Sequence, residues 1–319
     1  MVVVYKERHA VVKIDLITGF LGSGKTTFIK KYADYLVRQG HNIGILENDY
    51  GAVNVDMMLL QDVMGENCHA EMVAGGCGED CHRRRFKTKL IAMAMSGYDR
   101  VIVEPSGIFD VDEFFDVLHE EPLDRWYEVG SIIAIVDAEL DRNMVKQSRY
   151  VLASEIASCG ALIMSKTDGV SADEKAATIS FVNDTLKEFQ CSRQFGDDVM
   201  TKSWAELGDD DFAKLMSSGY RLYDLVKEWF RQSDVYNSVY IMNKNMAQEK
   251  LENIVRSIFA DRECGDVFRI KGFLRAGDGW IEINATSRKT EVRPIENGQE
   301  IIIVIGSGLV EDRIKEYFE

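Results

Sequence analysis

The fold of this chain is decided by residues 19–27, Gly19-Phe20-Leu21-Gly22-Ser23-Gly24-Lys25-Thr26-Thr27, which fit the phosphate-binding pattern G-x-x-x-x-G-K-[ST]. Residues 10–17 before it are β-branched and apolar, which predicts a buried strand. Residues 25–38 after it carry apolar side chains at helical spacing and precede Gly40, which predicts a helix. In this order, the loop amides and the helix N-terminus bind an anion. The sequence therefore predicts a nucleotide-binding site.

Two segments supply most of the predicted phosphate and magnesium contacts. Lys25 is expected to reach the β- and γ-phosphates, and the Thr26 hydroxyl is expected to bind Mg²⁺. A strand predicted over residues 99–104 ends at Glu104, which is expected in the magnesium shell, while the Gly107 amide would sense the γ-phosphate. The predicted nucleotide contacts from these segments are Gly22, Ser23, Gly24, Lys25, Thr26, Thr27 and Gly107.

Carboxylates also follow the strand predicted over residues 42–46. Asp49 stands in the acidic turn after that strand, and Asp56 comes a little further on. Because ligand sites of parallel sheets lie at the carboxyl ends of the strands, these groups indicate magnesium or water handling. A solvated acidic turn is the alternative. The predicted catalytic residues are Lys25, Asp49, Asp56 and Glu104.

A base-recognition element follows another apolar strand, residues 161–164. The sequence Ser165-Lys166-Thr167-Asp168 is similar to the [NS]-K-x-D element of G proteins, with serine in place of the commoner asparagine. Asp168 would accept hydrogen bonds from the guanine ring N–H and exocyclic amine, and the Lys166 stem would pack on the purine. Adenine lacks that donor pair and would leave the carboxylate unpaired. The sequence therefore predicts GTP rather than ATP.

Thiol and imidazole groups are dense between residues 67 and 82, where the possible ligands are Cys68, His69, Cys77, Cys81 and His82. Such ligands favour zinc, nickel, cobalt or copper over magnesium. The spacing Cys77-x-x-x-Cys81 differs from the C-x-x-C of zinc fingers. We predict a transition-metal site formed by Cys77, Cys81 and His82, which Cys68 and His69 would supplement. A loop with incidental cysteines is the alternative.

The composition limits the partners. With 53 acidic and 38 basic residues, the net charge of −15 disfavours nucleic acid and anionic membranes as partners. No apolar run reaches the roughly 18 residues of a membrane helix, so a cytoplasmic protein is expected. In that compartment the six cysteines are expected as thiols or metal ligands rather than disulfides.

The chain of 319 residues is long enough for two domains. Residues 1–233 alternate strands and helices, which predicts an α/β P-loop domain with a parallel sheet. From residue 234 to 319, strands outnumber helices, which predicts a smaller α+β domain.

Taken together, the motifs resemble the CobW-like GTPases, relatives of the urease and hydrogenase nickel-insertion GTPases. The similar segments are residues 14–27, 48–56, 75–81, 104–107, 136–138 and 165–168, with 267–272, 280–281 and 303–306 in the tail. The resemblance implies a P-loop G domain followed by a small α+β domain. It also implies slow GTP hydrolysis with Mg²⁺, binding of Zn²⁺ or another divalent transition metal, and delivery of metal or metallocofactor to a client protein. A homodimer is compatible with it.

The chain departs from the family pattern at its metal signature, Cys-x-Cys-Cys. Cys77 matches the first cysteine, but Glu79 and Asp80 stand where the other two belong, and Cys81 comes one residue late. The departure predicts a metal site with at least one nitrogen or oxygen ligand, which binds the metal more weakly than a site of three cysteines would. Two other functions are considered: a metal-free, nucleotide-gated switch that binds a partner, and a small-molecule P-loop kinase, which Ser165 to Asp168 and the tail disfavour.

Overall fold

The structure is a computed structural model. This structure describes residues 11–49, 56–74, 79–105, 111–223, 225–226, 237–277, 279–287, 289–296 and 298–319. The chain divides into two compact units, residues 1–227 and 228–319. The predicted domain boundary at residues 233–234 lies outside the described residues.

The first unit is built on a parallel sheet of six strands in the order β3-β2-β4-β1-β5-β6. The strands are β1 (Val12–Thr18), β2 (Ile43–Asp49), β3 (Cys68–Ala74), β4 (Arg100–Pro105), β5 (Tyr127–Asp137) and β6 (Ala161–Ser165). The near-continuous burial of β1, β4 and the second half of β5 is typical of parallel strands covered on both faces. The predicted α/β class with a parallel sheet is therefore confirmed.

Eight described helices surround this sheet: α1 (Lys25–Arg38), α2 (Asp56–Leu59), α3 (Glu79–Met95), α4 (Val111–Leu118), α5 (Leu123–Trp126), α6 (Lys146–Ala157), α7 (Ala172–Glu188) and α8 (Asp209–Met216). Helix α1 has the bounds that the sequence predicts and buries Phe28, Ile29 and Tyr32 completely. Helix α7 begins with the capping box that the sequence indicates, in which Ser171 Oγ accepts from the Glu174 amide. No described helix is long and apolar enough to cross a membrane.

A buried ion pair joins the centre of the sheet to α1. The Asp15 carboxylate on β1 accepts hydrogen bonds from Arg100 Nη1 on β4, at 2.7 and 2.6 Å, and from the Tyr32 hydroxyl, at 2.8 Å. The Ser131 amide on β5 donates to the same carboxylate at 2.8 Å. Asp15 has no exposed surface, so its charge is balanced entirely inside the protein. The pair therefore fixes the strand that leads into the phosphate-binding loop.

The second unit is a five-stranded antiparallel sheet in the order β10-β9-β8-β11-β7. Its elements are β7 (Asn237–Met242), α9 (Gln248–Ala260), β8 (Asp266–Ala276), β9 (Gly279–Ala285), β10 (Thr290–Ile295), β11 (Ile301–Ser307) and α10 (Glu311–Glu316). Apolar side chains of α9, including Leu251, Val255 and Ile258, pack against the sheet to form its core. The predicted α+β class of this region is confirmed.

The structure corrects the sequence analysis at two places in the first unit. Part of the segment grouped above as possible metal ligands is a strand, since Cys68–Ala74 forms β3, paired with β2 along its length. The sequence also predicts a helix over roughly residues 138–158, but α6 begins only at Lys146. The Asp137 and Asp141 carboxylates accept from the amides of Glu139 and Asn143, and such side-chain turns compete with a helix.

Candidate functional site

The phosphate-binding loop lies between β1 and α1, and glycine is required at two of its positions. Gly24 caps α1 with φ of 98°, a left-handed conformation that L side chains rarely adopt. At Gly19, a Cβ atom would lie 2.3 Å from the Ile135 carbonyl oxygen. The Lys25 ammonium donates to the Gly19 carbonyl oxygen at 2.6 Å, so the lysine side chain folds back over the loop. The loop therefore leads directly into the N-terminus of α1, an arrangement that favours an anion.

Thr26 and Glu104 meet at the carboxyl edge of the sheet. The Thr26 hydroxyl donates to Glu104 Oε1 at 2.8 Å, although 78 positions separate the two residues in the chain. Glu47 lies in register with Glu104 on the neighbouring strand, and both carboxylates are almost completely buried. A hydroxyl and carboxylates provide only oxygen donors, which suit Mg²⁺. The residues therefore fit the ion that the phosphate-binding motif implies, and Glu47 joins the predicted pair.

The predicted base-recognition element extends from the end of β6. Ser165 is buried, whereas Lys166 and Asp168 are exposed. The Lys166 ammonium pairs with the Asp137 carboxylate at 2.5 Å, and its backbone adopts φ of 52°. This pairing holds the lysine stem at the surface next to Asp168, where both side chains are accessible to a base. In the sequence, Asp137 is marked only as the acidic residue that ends the apolar run of residues 130–136.

Trp204 is a residue of this region that the sequence did not indicate. Its indole Nε1 donates to the Met164 carbonyl at 2.9 Å, and its ring packs edge-on against Phe28. A Cβ atom at Gly24 would lie 3.2 Å from the same ring. The tryptophan therefore connects the phosphate-binding loop to the strand that precedes the base-recognition element. No spacing pattern marks it in the sequence, because the contacts are made between distant segments.

A second polar contact is buried on the opposite face of the sheet. His82 Nε2 lies 2.7 Å from Asn48 Oδ1, and the two side chains are respectively 0% and 1% exposed. Asn48 directly follows Glu47, and consecutive strand residues point to opposite faces. One peptide of β2 therefore separates the His82 contact from the carboxylates at the magnesium side.

The cysteine segment is divided by the fold. Cys81 is the third residue of α3, on its first turn, and is half-buried. Cys68 and His69 begin β3, and the seven residues from Cys68 to its end at Ala74 span roughly 20 Å at the usual rise of a strand. Because Cys81 follows the opposite end of β3, the expectation that Cys68 and His69 supplement Cys81 is wrong. Cys68 moreover packs in the core beneath α1, and burial raises the pKa of its thiol to about 11.

Some predicted site residues cannot be compared with the structure. Cys77 and Gly107 lie outside the described residues, and for Asp49 and Asp56 only the backbone is described, at the end of β2 and the start of α2. Within the part of the chain that is described, no group of three His, Cys, Asp or Glu side chains is placed to bind a metal ion. The five described cysteines, Cys68, Cys81, Cys159, Cys191 and Cys264, are all free thiols.

A carboxyl group with no predicted role lies beside the phosphate-binding loop. Glu155 on α6 is 1% exposed, and neither of its carboxyl oxygens has a hydrogen-bond partner among the described residues. Its backbone carbonyl accepts from Thr18, the last residue before the loop. Burial raises the pKa of Glu155 well above its usual value, and the charge of Lys25 opposes this rise. The group therefore favours its neutral form.

The loop, the Thr26–Glu104 pair and the parallel sheet define a P-loop nucleotide-binding protein. The chain belongs to the CobW/HypB/UreG family, whose nucleotide-binding domain is matched by residues 13–195. The resemblance noted in the sequence is therefore confirmed.

Three curated proteins are similar to about half of the chain. The chain is 25% identical to "Zinc-regulated GTPase metalloprotein activator 1" of Schizosaccharomyces pombe, over 56% of this chain and 44% of that protein. It is 27% identical to "Zinc chaperone YjiA" of Escherichia coli, over 51% and 52% of the two chains, and 26% identical to "Zinc chaperone YeiR", over 52% and 49%. The chain thus spans about half the length of the curated relatives that it matches.

Two solved structures are also similar. The Zn(II)-bound YjiA GTPase from E. coli matches 97% of this chain and 98% of its own, with 17% identity and a TM-score of 0.38. The hydrogenase maturation factor HypB from Archaeoglobus fulgidus matches 64% of this chain and 87% of its own, with 15% identity and a TM-score of 0.40.

Proposed function

We propose that this protein binds and slowly hydrolyses GTP, and that its nucleotide state controls the delivery of a divalent transition metal, or a metallocofactor, to a client protein. Family membership supports nucleotide binding, and the relatives described as zinc chaperones support zinc as the cargo. One observation supports the coupling between the two: the buried contact between His82 and Asn48.

The phosphates would be bound by the loop amides and by Lys25, which would exchange the Gly19 carbonyl for phosphate oxygens. Thr26 and Glu104 would hold Mg²⁺, which supplies charge neutralisation at the β- and γ-phosphates. Asp49 and Asp56 are proposed to orient water, and the Gly107 amide to sense the γ-phosphate. Asp168 and Lys166 would select guanine, and Gly22, Ser23, Gly24 and Thr27 would line the phosphates.

The coupling would pass through β2. Glu47 and Asn48 are consecutive, one facing the carboxylates at the magnesium side and the other facing His82 at the start of α3. Cys81 precedes His82, so a shift of this strand end on nucleotide binding would move the cysteine directly. The sequence suggests His82 as a metal ligand, but in the structure its Nε2 is hydrogen-bonded to Asn48. His82 is therefore better suited to orient Cys81 than to bind the metal.

Cobalt titration tests the cargo site, because thiolate coordination gives a charge-transfer band. Wild type should show this band, and Cys77→Ser/Cys81→Ser should lose it, because sulfur ligands favour such ions. Cys68→Ser is the matched control and should keep the band, since Cys68 lies at the far end of β3. No band in the wild type would favour the alternative function, a metal-free switch that binds a partner.

The role of His82 is tested by cobalt affinity with and without GTP. His82→Ala should reduce the effect of GTP on cobalt affinity, whereas His82→Gln, which can still donate to Asn48, should preserve most of it. His69→Ala is the control for loss of an imidazole from the same segment. An unchanged GTP effect in His82→Ala would refute the coupling through this contact.

A further inference from the structure

An open groove runs between β3 and α3, next to the cysteine segment. It has a volume of about 470 Å³, and Met72 and Val73 of β3 form its floor. Arg84, Arg85 and Lys89 of α3 line its rim. The groove thus combines an apolar floor with a cationic wall, on a chain whose net charge is −15. Such a local reversal of charge favours an acidic ligand.

The arginine run that precedes this groove is shared between two surfaces. Arg83 and Lys87 both pair with Glu120, at 2.7 and 2.5 Å, away from the groove. Lys89 on the rim pairs with Glu71 at 2.5 Å. Arg84, in contrast, has no carboxylate partner among the residues that the structure describes, and it is exposed. Its guanidinium is thus available to a carboxylate from another molecule.

The floor of the groove is also the edge of a sheet. Strand β3 is the terminal strand of its sheet and pairs with β2 on one side. A single bridge from Gly65 covers the start of its outer side, at Cys68, and no described strand pairs with the outer side beyond it. An unpaired strand edge beside a groove is a recognised binding site for an extended peptide.

We propose that this groove binds an extended acidic segment of a partner protein, which adds as a strand to the outer edge of β3. Acidic residues at alternate positions of the segment would face α3 and pair with Arg84 and Arg85, because alternate strand residues share a face. Apolar contacts with Met72, which is partly exposed, would complete the interface. Nucleic acid is the less suitable polyanion, since the rest of the chain repels it.

The position of the groove identifies the partner's role, and here the proposal rests on the proposed function. Strand β3 ends at Ala74 and α3 begins at Glu79, so both walls of the groove lead into the segment that carries Cys77 and Cys81. A segment bound there would place its protein beside Cys81, one turn of α3 before Arg84 and Arg85. We therefore assign the groove to docking of the client that receives the metal.

The test is fluorescence anisotropy with the full chain and a fluorescein-labelled peptide of alternating glutamate and valine. Wild type should bind it, and a lysine–valine peptide should not bind. Arg84→Glu/Arg85→Glu should weaken binding at least tenfold, because two attractive contacts become repulsive. Lys187→Glu/Lys214→Glu is the matched control: both lysines are exposed elsewhere on the first unit, the change in net charge is identical, and binding should persist.

Strand addition is tested separately by methylating alternate backbone amides of the peptide. Methylation removes donors but no side chain, so binding should again fall at least tenfold. The proposal is overturned if wild type does not bind the glutamate–valine peptide, if the two charge variants bind equally, if methylation has no effect, or if a single-stranded RNA displaces the peptide at equal concentration. GTP hydrolysis and cobalt binding by the same wild-type sample report on the proposed function, so its failure is distinguishable from a failure of docking.

Discussion

The buried pair of Asp15 and Arg100 offers a quantitative test of how the nucleotide-binding unit is stabilised. In Asp15→Ala, the Arg100 guanidinium, whose side chain is only 10% exposed, would lose its counter-charge. The Tyr32 hydroxyl and the Ser131 amide would lose their acceptor at the same time. Breaking a buried pair in this way typically costs about 3–5 kcal/mol. For a unit of this size that corresponds to a fall in Tm of roughly 6–20 °C, at about 2–4 °C per kcal/mol.

Urea denaturation followed by circular dichroism would measure the free energy of unfolding. The matched control is Asp209→Ala, because Asp209 pairs with Arg38 at the surface, where its side chain is 56% exposed. That variant should lose no more than about 1 kcal/mol. The double variant Asp15→Leu/Arg100→Met should recover most of the loss of Asp15→Ala, because it removes both buried charges together. The reasoning is refuted if Asp15→Ala is no less stable than the control, or if the double variant is as unstable as the single one.

Three further predictions concern the nucleotide site. Asp168→Ala should bind GTP at least tenfold more weakly with little change for ATP, since it removes the acceptor for guanine; equal wild-type affinity for both nucleotides in a competition assay would contradict the guanine assignment. Lys25→Ala should abolish tight GTP binding in calorimetry. Glu104→Gln should lower the rate of GTP hydrolysis more than the affinity for GTP, and a wild-type rate in this variant would exclude the proposed role of Glu104 at Mg²⁺. Burial raises the pKa of Glu155 in the folded protein above its ordinary value of 4.5. The contribution of Glu155 to the free energy of unfolding is therefore fully present below pH 4.5 and is lost as the pH rises towards the pKa of the folded state. Glu155→Gln should therefore raise Tm at pH 7.5 but not near pH 4, and an equal effect at both pH values would show that ionisation is not the cause.

Local sequence signals were sufficient for most of the nucleotide-binding unit. The bounds of α1 follow from its apolar spacing and Gly40, and the capping box of α7 is encoded in Ser171 and Glu174. Strand β10, in contrast, carries no local strand signal, because it is an edge strand with mostly polar, exposed residues and contains Pro294, which is tolerated at an edge. A sequence pattern therefore identifies a strand whose own residues reflect its burial, as in β1, but not one whose residues are polar and exposed, as in β10.

The candidate metal site was less predictable, because ligand residues were grouped by distance along the chain. Cys68 and His69 are near Cys81 in sequence, but they begin β3, whereas Cys81 follows the other end of that strand. The contact between His82 and Asn48 joins residues 34 positions apart, and Trp204 contacts Met164 across 40 positions. Such contacts depend on the order of strands in the sheet, which no local pattern specifies.

The central claim is that nucleotide state and metal affinity are linked. It is tested most directly by zinc titration of the wild-type protein saturated with GDP or with a non-hydrolysable GTP analogue, beside Cys77→Ser/Cys81→Ser. Coupled sites typically differ by about 5- to 150-fold in affinity between states, so we expect at least a fivefold difference in the wild type and weak, nucleotide-independent binding in the double variant. Equal zinc affinity in both nucleotide states, or identical affinities of the wild type and the double variant, would contradict the claim.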